Sequence, residues 1–266
     1  MKKRLAFALA LVAGQIASLS HPAFAGAWTL KKHHWQTFNA TTLSMATTIF
    51  ASHGHADTPT NFHKYLVQNT VEYGLTNGIT LFATPDLVTV SSQTGATTPT
   101  SARGSSVEAG ARVLLFAHVG QLSFQSSYKA AGPFDLSNSV NHDPAQQVEL
   151  RLLYGTSFKF LGDDGFADIR AGERWISRHR PNETPIDLTA GLWFRRDTMV
   201  MAQSFNIVSG GDGQPPFTYS RSHKLELSLV ERLSRHWLLQ VGGFVSPAGQ
   251  NALDEKGLSV VLWTQR

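Results

Sequence analysis

The chain has 266 residues, no cysteine, and 23 Lys and Arg residues against 19 Asp and Glu. The missing cysteine excludes disulfides, thiol nucleophiles and cysteine-based metal sites. Charged residues make up only 16% of the chain, against roughly 25% in ordinary soluble domains. Beyond the first 25 residues, no apolar run is long enough for a transmembrane helix.

Residues 1–25 have the pattern of a secretory signal peptide. Cations at 2–4 precede an apolar stretch over 5–13, and Ala-Phe-Ala at 23–25 is a small-residue cleavage site. We therefore expect a leader over 1–25 and one mature domain over 26–266. Three of the 23 cations fall in the leader, so the mature chain keeps 20 against 19 acidic residues. This near-neutral charge removes the compositional support for nucleic-acid binding.

Alternation of apolar and polar residues, the period of a strand with two different faces, runs along the mature chain. In the second run, over residues 64–75, Tyr65, Val71 and Tyr73 share one face, and Glu72 lies on the opposite face. The following Asn77-Gly78 is the strongest short signal for a hairpin turn. The pattern continues to the end of the chain and predicts about twelve strands.

Two runs depart from clean alternation. Glu173 falls on the apolar register of the seventh run, which predicts a β-bulge near Arg174. In the ninth run, Met199, Met201 and Gln203 share one face. The sequence therefore leaves open whether the ninth strand is shifted by one residue.

The connections between the predicted strands alternate between long and short. The long, polar ones are 51–61, 91–105, 130–145, 177–184, 208–222 and 246–256. The tight ones are 76–78, 118–120, 162–165, 195–197 and 233–235. Outer-membrane barrels have long external loops and short periplasmic turns. We therefore predict an all-β fold: a transmembrane, antiparallel, up-and-down β-barrel in the Gram-negative outer membrane, with both chain ends in the periplasm.

The polar face of the predicted strands carries charges of both signs in mid-strand, which favours a polar lumen and an apolar exterior. These predicted lumen residues are Glu72, Glu108, Arg112, Glu149, Arg151, Asp168, Arg170, Arg174, Asp187, Lys224 and Glu226. They are interpreted either as a selectivity surface or as structural ion pairs.

Aromatic residues collect near the tight turns, as in the interfacial girdle of a membrane protein. The predicted girdle consists of Trp35, Tyr73, Phe158, Phe160, Phe166, Phe194 and Trp237. Against this pattern, Phe116, Trp193 and Trp263 fall on the lumen register. The membrane and the outer-membrane lipid are nevertheless the expected surroundings of the apolar face.

Catalytic and metal-binding patterns are weak. An outer-membrane hydrolase needs a nucleophile and a base within hydrogen-bond reach, but no His-x-Ser occurs, and Ser177/His179 and Ser234/His236 lie beside predicted connections. The histidine pairs at 33–34 and 53–55 do not by themselves supply three or four convergent ligands. We therefore predict no catalytic residue, no metal and no cofactor.

Two segments carry a family resemblance. Gly26-Ala27-Trp28-Thr29-Leu30 and the run from Glu72 to Leu81, EYGLTNGITL, resemble porin-like outer-membrane barrels of Gram-negative bacteria. The start GAWT is similar to the XagA-like group, which is linked with surface-polysaccharide and biofilm operons. The resemblance implies two partners, the barrel-assembly machinery and a polysaccharide synthesis or export system. Such barrels usually end in an aromatic residue that the machinery reads, a place that Trp263 would take here.

The sequence thus predicts a porin-like barrel, not an enzyme, for passage or assisted export of a polar solute or exopolysaccharide. Three alternatives stay open: a non-conducting barrel whose long loops bind a surface partner, an outer-membrane hydrolase, and a soluble periplasmic β-protein.

Overall fold

The computed structural model describes residues 26–94, 100–131, 146–177, 180–210 and 219–266. Among these residues, no helix has the length and apolarity needed to cross a bilayer. The strands are β1 (Trp35–Phe50), β2 (Ala56–Thr76), β3 (Ile79–Thr94), β4 (Thr100–Ala117), β5 (Gln121–Ala131), β6 (Gln146–Phe160), β7 (Asp163–Ile176), β8 (Glu183–Trp193), β9 (Thr198–Ser209), β10 (Arg221–Arg232), β11 (Trp237–Gln250) and β12 (Ala252–Gln265).

The twelve strands form a closed barrel in which each strand pairs antiparallel with its neighbours in the chain. β1 closes the barrel by pairing with β12, where Leu43 lies opposite Leu258 and Ser44 opposite Gly257. Closure leaves no strand edge unpaired, which a chain in lipid requires. The predicted fold, an all-β antiparallel barrel of twelve strands, is confirmed.

The apolar face of the strands points outward. On β6, Leu152 is 54% exposed and the next residue, Leu153, is 1% exposed. Exposed apolar side chains occur around the whole barrel and include Leu43, Val71, Leu81, Leu152, Leu188, Leu227 and Leu258. An exterior that is apolar all round is stable in lipid and not in water.

The bulge predicted near Arg174 is wrong, because β7 pairs with β6 without a register shift. Glu173 stays on the outward face, where Thr184 Oγ1 donates a hydrogen bond to Glu173 Oε2 at 2.9 Å. Glu173 lies three residues before the loop-side end of β7.

The ninth strand also pairs without a shift, both with β8 and with β10. Met199 and Met201 point into the lumen and are buried there, while Val200 points outward. The alternation of this strand is poor because both of its faces are apolar at the turn-side end.

A register shift that the sequence did not predict occurs in β4, between Leu114 and Phe116. Phe116 lies opposite Leu122, whose neighbour Ser123 is buried in the lumen. Leu115 and Phe116 are therefore both exposed, and the shift turns Phe116 outward.

The strict alternation of long and short connections is not observed. β11 and β12 are joined by Asn251 alone, which has a φ of 46°, although residues 246–256 were predicted to form a loop. β1 and β2 are joined by residues 51–55. Parts of the predicted loops 91–105, 130–145 and 208–222 lie outside the described residues. Polar segments near the loops continue the strand pairing beyond the apolar band, so they look like loops in sequence.

Candidate functional site

An ion-pair network on the adjacent strands β6, β7 and β8 lines the loop-side half of the lumen. Arg174 Nε donates to Glu149 Oε2 at 2.7 Å, and Arg174 Nη1 donates to Glu183 Oε2 at 2.7 Å. Arg151 donates to both Glu149 and Asp187. The guanidinium forks match the paired carboxylates geometrically, so the network ties three strands together from the inside.

A second network joins the opposite wall. Glu255 on β12 accepts from Lys224 Nζ at 2.8 Å and from Ser44 Oγ at 2.5 Å. Lys64 on β2 lies 2.5 Å from the same carboxylate. Lys224 Nζ also lies 4.6 Å from the centroid of the Phe244 ring. One carboxylate thereby holds cations from two other strands across the seam of the barrel.

A third, smaller network lies on β3, β4 and β5. Lys129 Nζ donates to Asp86 Oδ2 at 2.9 Å, and Ser106 Oγ lies 2.7 Å from both carboxylate oxygens of Asp86. Glu108 lies opposite Lys129 in the strand register. In the described part of the chain, Glu108 forms no ion pair of its own.

The eleven predicted lumen charges all fall on inward positions of the strands. Those in ion pairs are Glu72, Arg112, Glu149, Arg151, Asp168, Arg170, Arg174, Asp187 and Lys224. Sequence reasoning missed Glu183, the partner of Arg174, and Glu255, the partner of Lys224, as well as the Lys64–Glu255 and Asp86–Lys129 pairs. Glu183 and Glu255 fall in predicted loops, while the other missed charges lie on polar positions that alternation alone identifies.

Glu226 is held by neutral groups. Its Oε1 accepts from Ser259 Oγ at 2.5 Å, from Ser228 Oγ at 3.0 Å and from Gln240 Nε2 at 3.4 Å. A Cβ on Gly242 would come within 2.7 Å of the same oxygen. The absent side chain at position 242 thus leaves the space in which this carboxylate and its donors meet.

The turn-side half of the lumen contains an apolar cluster, which the sequence did not predict. Its buried cluster consists of Phe166, Met199, Met201, Val230, Leu238 and Trp263, with Trp28, Phe38, Trp193 and Val261 packed against it. Phe166, predicted in the exterior girdle, therefore lies inside. Apolar side chains in the lumen are stabilised when another apolar group covers them, because contact of apolar surface with water is unfavourable.

That cover is the N-terminal segment, residues 26–34, which enters the lumen from the turn side. Leu30 N donates to Thr80 Oγ1 at 2.7 Å, and Arg112 Nη1 donates to the Trp28 carbonyl at 3.0 Å. Ser123 Oγ donates to the Ala27 carbonyl at 2.6 Å. The segment thus runs from the β2–β3 turn past β4 and β5 and is bonded to each.

Side-chain packing holds the segment as closely as the hydrogen bonds do. The Trp28 and Phe166 rings meet edge to face, with centroids 6.0 Å apart. Gly155 allows this approach, because a Cβ there would lie 2.6 Å from the Trp28 ring and 2.8 Å from the Ala27 Cβ. The sequence signal for this role is an apolar Ala-Trp pair directly after the predicted leader, outside any strand.

A chamber of about 300 Å³ lies in the lumen next to Gly26. Four glutamines from four strands line it: Gln36, Gln68, Gln203 and Gln240. The rest of its wall is Phe38, Thr70, Glu72, Arg112, Arg170, Met201, Val261 and Trp263. Each glutamine amide offers both donors and an acceptor, and the charged residues of the wall are ion-paired.

The other predicted aromatics lie at the turn-side rim. Tyr73, Phe158, Phe160, Phe194 and Trp237 are exposed, and Trp35 is half-buried. The hydroxyl of Tyr73 lies 2.9 Å from His33 Nδ1. Trp193 and Trp263, which the lumen register predicted to be inside, are part of the lumen cluster or packed on it.

The Ser–His pairs do not assemble a nucleophile in the described residues. His236 Nδ1 lies 3.1 Å from the Gln265 carbonyl, and the hydrogen bond between positions 236 and 234 comes from the backbone N–H. His179 lies outside the described residues. Within the described ranges, no three His, Asp or Glu side chains are arranged to hold a metal ion.

Solved structures of similar shape are outer-membrane barrels. The COG4313 outer membrane channel from Pseudomonas putida F1 matches with a TM-score of 0.68 and 14% identity, over 94% of this chain and all (100%) of that one. The translocator domain of autotransporter NalP from Neisseria meningitidis matches with a TM-score of 0.58 and 10% identity, over 99% and 97% of the two chains. No protein-family model and no curated protein sequence matches. At these identities the likeness shows the fold, that of an outer-membrane β-barrel.

Proposed function

We propose that this protein is a porin-like channel of the Gram-negative outer membrane whose turn-side mouth is closed by residues 26–34. The observation that carries the proposal is the bonding of this segment across the lumen to Thr80, Arg112 and Ser123. The barrel wall is closed by strand pairing and does not depend on the segment. Displacing the segment would therefore open a path without unfolding the barrel.

The connections support an orientation of the barrel in the membrane. Tight turns face the periplasm in outer-membrane barrels, and both the N-terminal segment and the end of β12 lie on the turn side. Trp35 N donates to the Arg266 carbonyl at 3.0 Å, so the two ends of the described chain meet there. Both termini would then be periplasmic, where a partner could reach and displace the segment.

The solute is a polar molecule, and the chamber supports an uncharged one. The charges of the chamber wall are already paired, and Gln68 and Gln203 are among the residues that line the open space. A saccharide presents hydroxyl groups, each of which can both donate and accept hydrogen bonds, and a glutamine amide offers both kinds of partner. The resemblance to the XagA-like group adds support for an exopolysaccharide, with a polysaccharide export system and the barrel-assembly machinery as partners.

Conductance across planar lipid bilayers tests the proposal. The mature chain, residues 26–266, should be mostly closed, and a variant lacking residues 26–34 should give steady open steps. A Lys32→Ala variant, altered at an exposed position, is the matched control and should behave like the mature chain. Each protein is first checked by the difference in gel mobility between boiled and unboiled samples, because a folded barrel resists SDS until heated. A folded deletion variant that never conducts would contradict the proposal.

A second candidate is a non-conducting surface barrel that binds a partner, and the uneven height of the wall favours it. β2 has 21 residues and β8 has 11, a difference of about 30 Å along the strand at roughly 3.3 Å per residue. Because the turns are tight, the extra length of β2 rises on the loop side. The absence of conductance in the folded deletion variant would leave this candidate as the better one.

A further inference from the structure

Asp168 lies in the lumen, and the two oxygens of its carboxylate differ in their hydrogen bonding. The residue is 4% exposed, and its Oδ1 accepts from Arg170 Nε at 3.0 Å. Its Oδ2 is buried and has no hydrogen-bond partner among the described residues. A buried carboxylate oxygen without a donor is costly, so a donor at this place would be stabilising.

Gly26 lies against this carboxylate. A Cβ built on Gly26 would be 2.8 Å from Asp168 Oδ1 and 2.4 Å from Arg170 Nε, and Gly26 has a φ of 54°, so a side chain here would be strained and would displace these two groups. The next residue, Ala27, is 0% exposed and is bonded through its carbonyl to Ser123. The segment thus brings the backbone of Gly26 to Asp168 in the interior of the barrel.

Gly26 is also the first residue after the predicted cleavage site. Hydrolysis there breaks the bond between the Ala25 carbonyl carbon and the Gly26 nitrogen and consumes one water. The leader leaves with a carboxylate, and Gly26 keeps an α-amino group that is protonated at neutral pH. An α-ammonium has a positive charge and three N–H donors, and one of these can serve Oδ2 of Asp168, while Oδ1 keeps its bond to Arg170.

We propose that the α-ammonium group of Gly26, created by removal of the leader, forms an ion pair with Asp168 and anchors residues 26–34 in the lumen. Leader removal is then the step that sets the closed barrel, because an uncleaved Gly26 has no charge and a single N–H. The proposal rests on the predicted cleavage site and the packing at Asp168, and it does not require that the channel conduct.

Amine modification of the folded protein tests this anchor. The mature barrel, isolated in detergent from outer membranes, is treated with an acetylating reagent, and its N-terminal peptide is analysed by mass spectrometry. Lys31 and Lys32 are exposed and serve as internal references in the same segment. The α-amino group of Gly26 should react at least roughly tenfold more slowly than they do, as expected for a group that reacts only on local opening.

Two variants separate the anchor from general burial. Asp168→Asn should raise the reaction rate of the Gly26 amine toward that of Lys31, and Glu226→Gln, a lumen carboxylate on another strand, should leave it protected. If Asp168→Asn fails to fold, a chain that begins one residue earlier, at Ala25, moves the amine away and should lose protection. An unprotected Gly26 amine in the mature barrel, unchanged protection in Asp168→Asn, or a first residue other than Gly26 would each overturn the proposal.

Discussion

The two halves of the lumen are built from different interactions. The loop-side half is lined by ion pairs between neighbouring strands, such as those of Arg174 with Glu149 and Glu183. The turn-side half holds an apolar cluster, which includes Met199 and Leu238, next to two ion pairs, Glu72–Arg112 and Asp168–Arg170, and residues 26–34 cover it. Both halves lie inside one closed wall, so the barrel itself does not decide what fills it.

The difference shows how ion pairs can hold the barrel wall rigid at one end while a separate segment covers the lumen at the other. Charges with several partners on different strands hold the wall at a fixed diameter, since moving one strand would leave a charge unpaired. Apolar side chains make non-directional contacts, so a segment can leave them and return. Ion pairs therefore suit a permanent support, and the apolar cluster suits a removable cover.

The largest expected effect is in the loop-side half. Glu149→Gln would leave Arg151 and Arg174 short of a shared carboxylate and should lower the free energy of unfolding by roughly 3–5 kcal/mol. Urea unfolding in lipid vesicles, followed by tryptophan fluorescence, measures it. Glu226→Gln is the control and should cost only about 1–2 kcal/mol, because its donors are neutral. Equal losses in the free energy of unfolding for the two variants would mean that the ion-pair network stabilises the barrel no more than neutral hydrogen bonds do.

A somewhat smaller effect is expected in the turn-side half. Met199 is 0% exposed, and Met199→Ala should cost about 3 kcal/mol through lost burial and a cavity. Met199→Leu nearly conserves the volume and should cost less than about 1.5 kcal/mol. The same unfolding experiment at raised salt sharpens the comparison, since salt should reduce the loss for Glu149→Gln and leave that for Met199→Ala unchanged. If the loss in the free energy of unfolding for Met199→Ala also depended on salt, the two halves would not differ in the kind of interaction that stabilises them.

The smallest effect on stability is expected in the cover. Trp28→Ala removes the edge-to-face contact with Phe166 and should lower the free energy of unfolding by only about 1 kcal/mol. It should nevertheless increase the frequency of open events in planar bilayers, because the segment detaches locally without unfolding the wall. A large loss of barrel stability with unchanged gating would mean that the segment is a structural part of the wall.

Alternation along single strands was sufficient to predict the barrel and the inward position of charges such as Glu149 and Arg151. It was insufficient where both faces have the same character. At Met199 the inner face is as apolar as the outer one, so the pattern indicated a doubtful register. At Glu255 a polar stretch was interpreted as a loop, although β12 pairs with β1 as far as Ala252 and β11 pairs with β10 as far as Gln250, on either side of Asn251.

The sequence by itself determined the fold class, the twelve strands and the face that meets lipid, because these depend on the local period of two along each strand. Only the tertiary structure decided which charges pair and what fills the turn-side lumen. Those contacts join residues far apart in the chain, as Glu255 meets Lys64 and Ala27 meets Ser123. Such contacts depend on how the barrel closes, because closure determines which strands lie near each other around the lumen. No local sequence pattern contains that information.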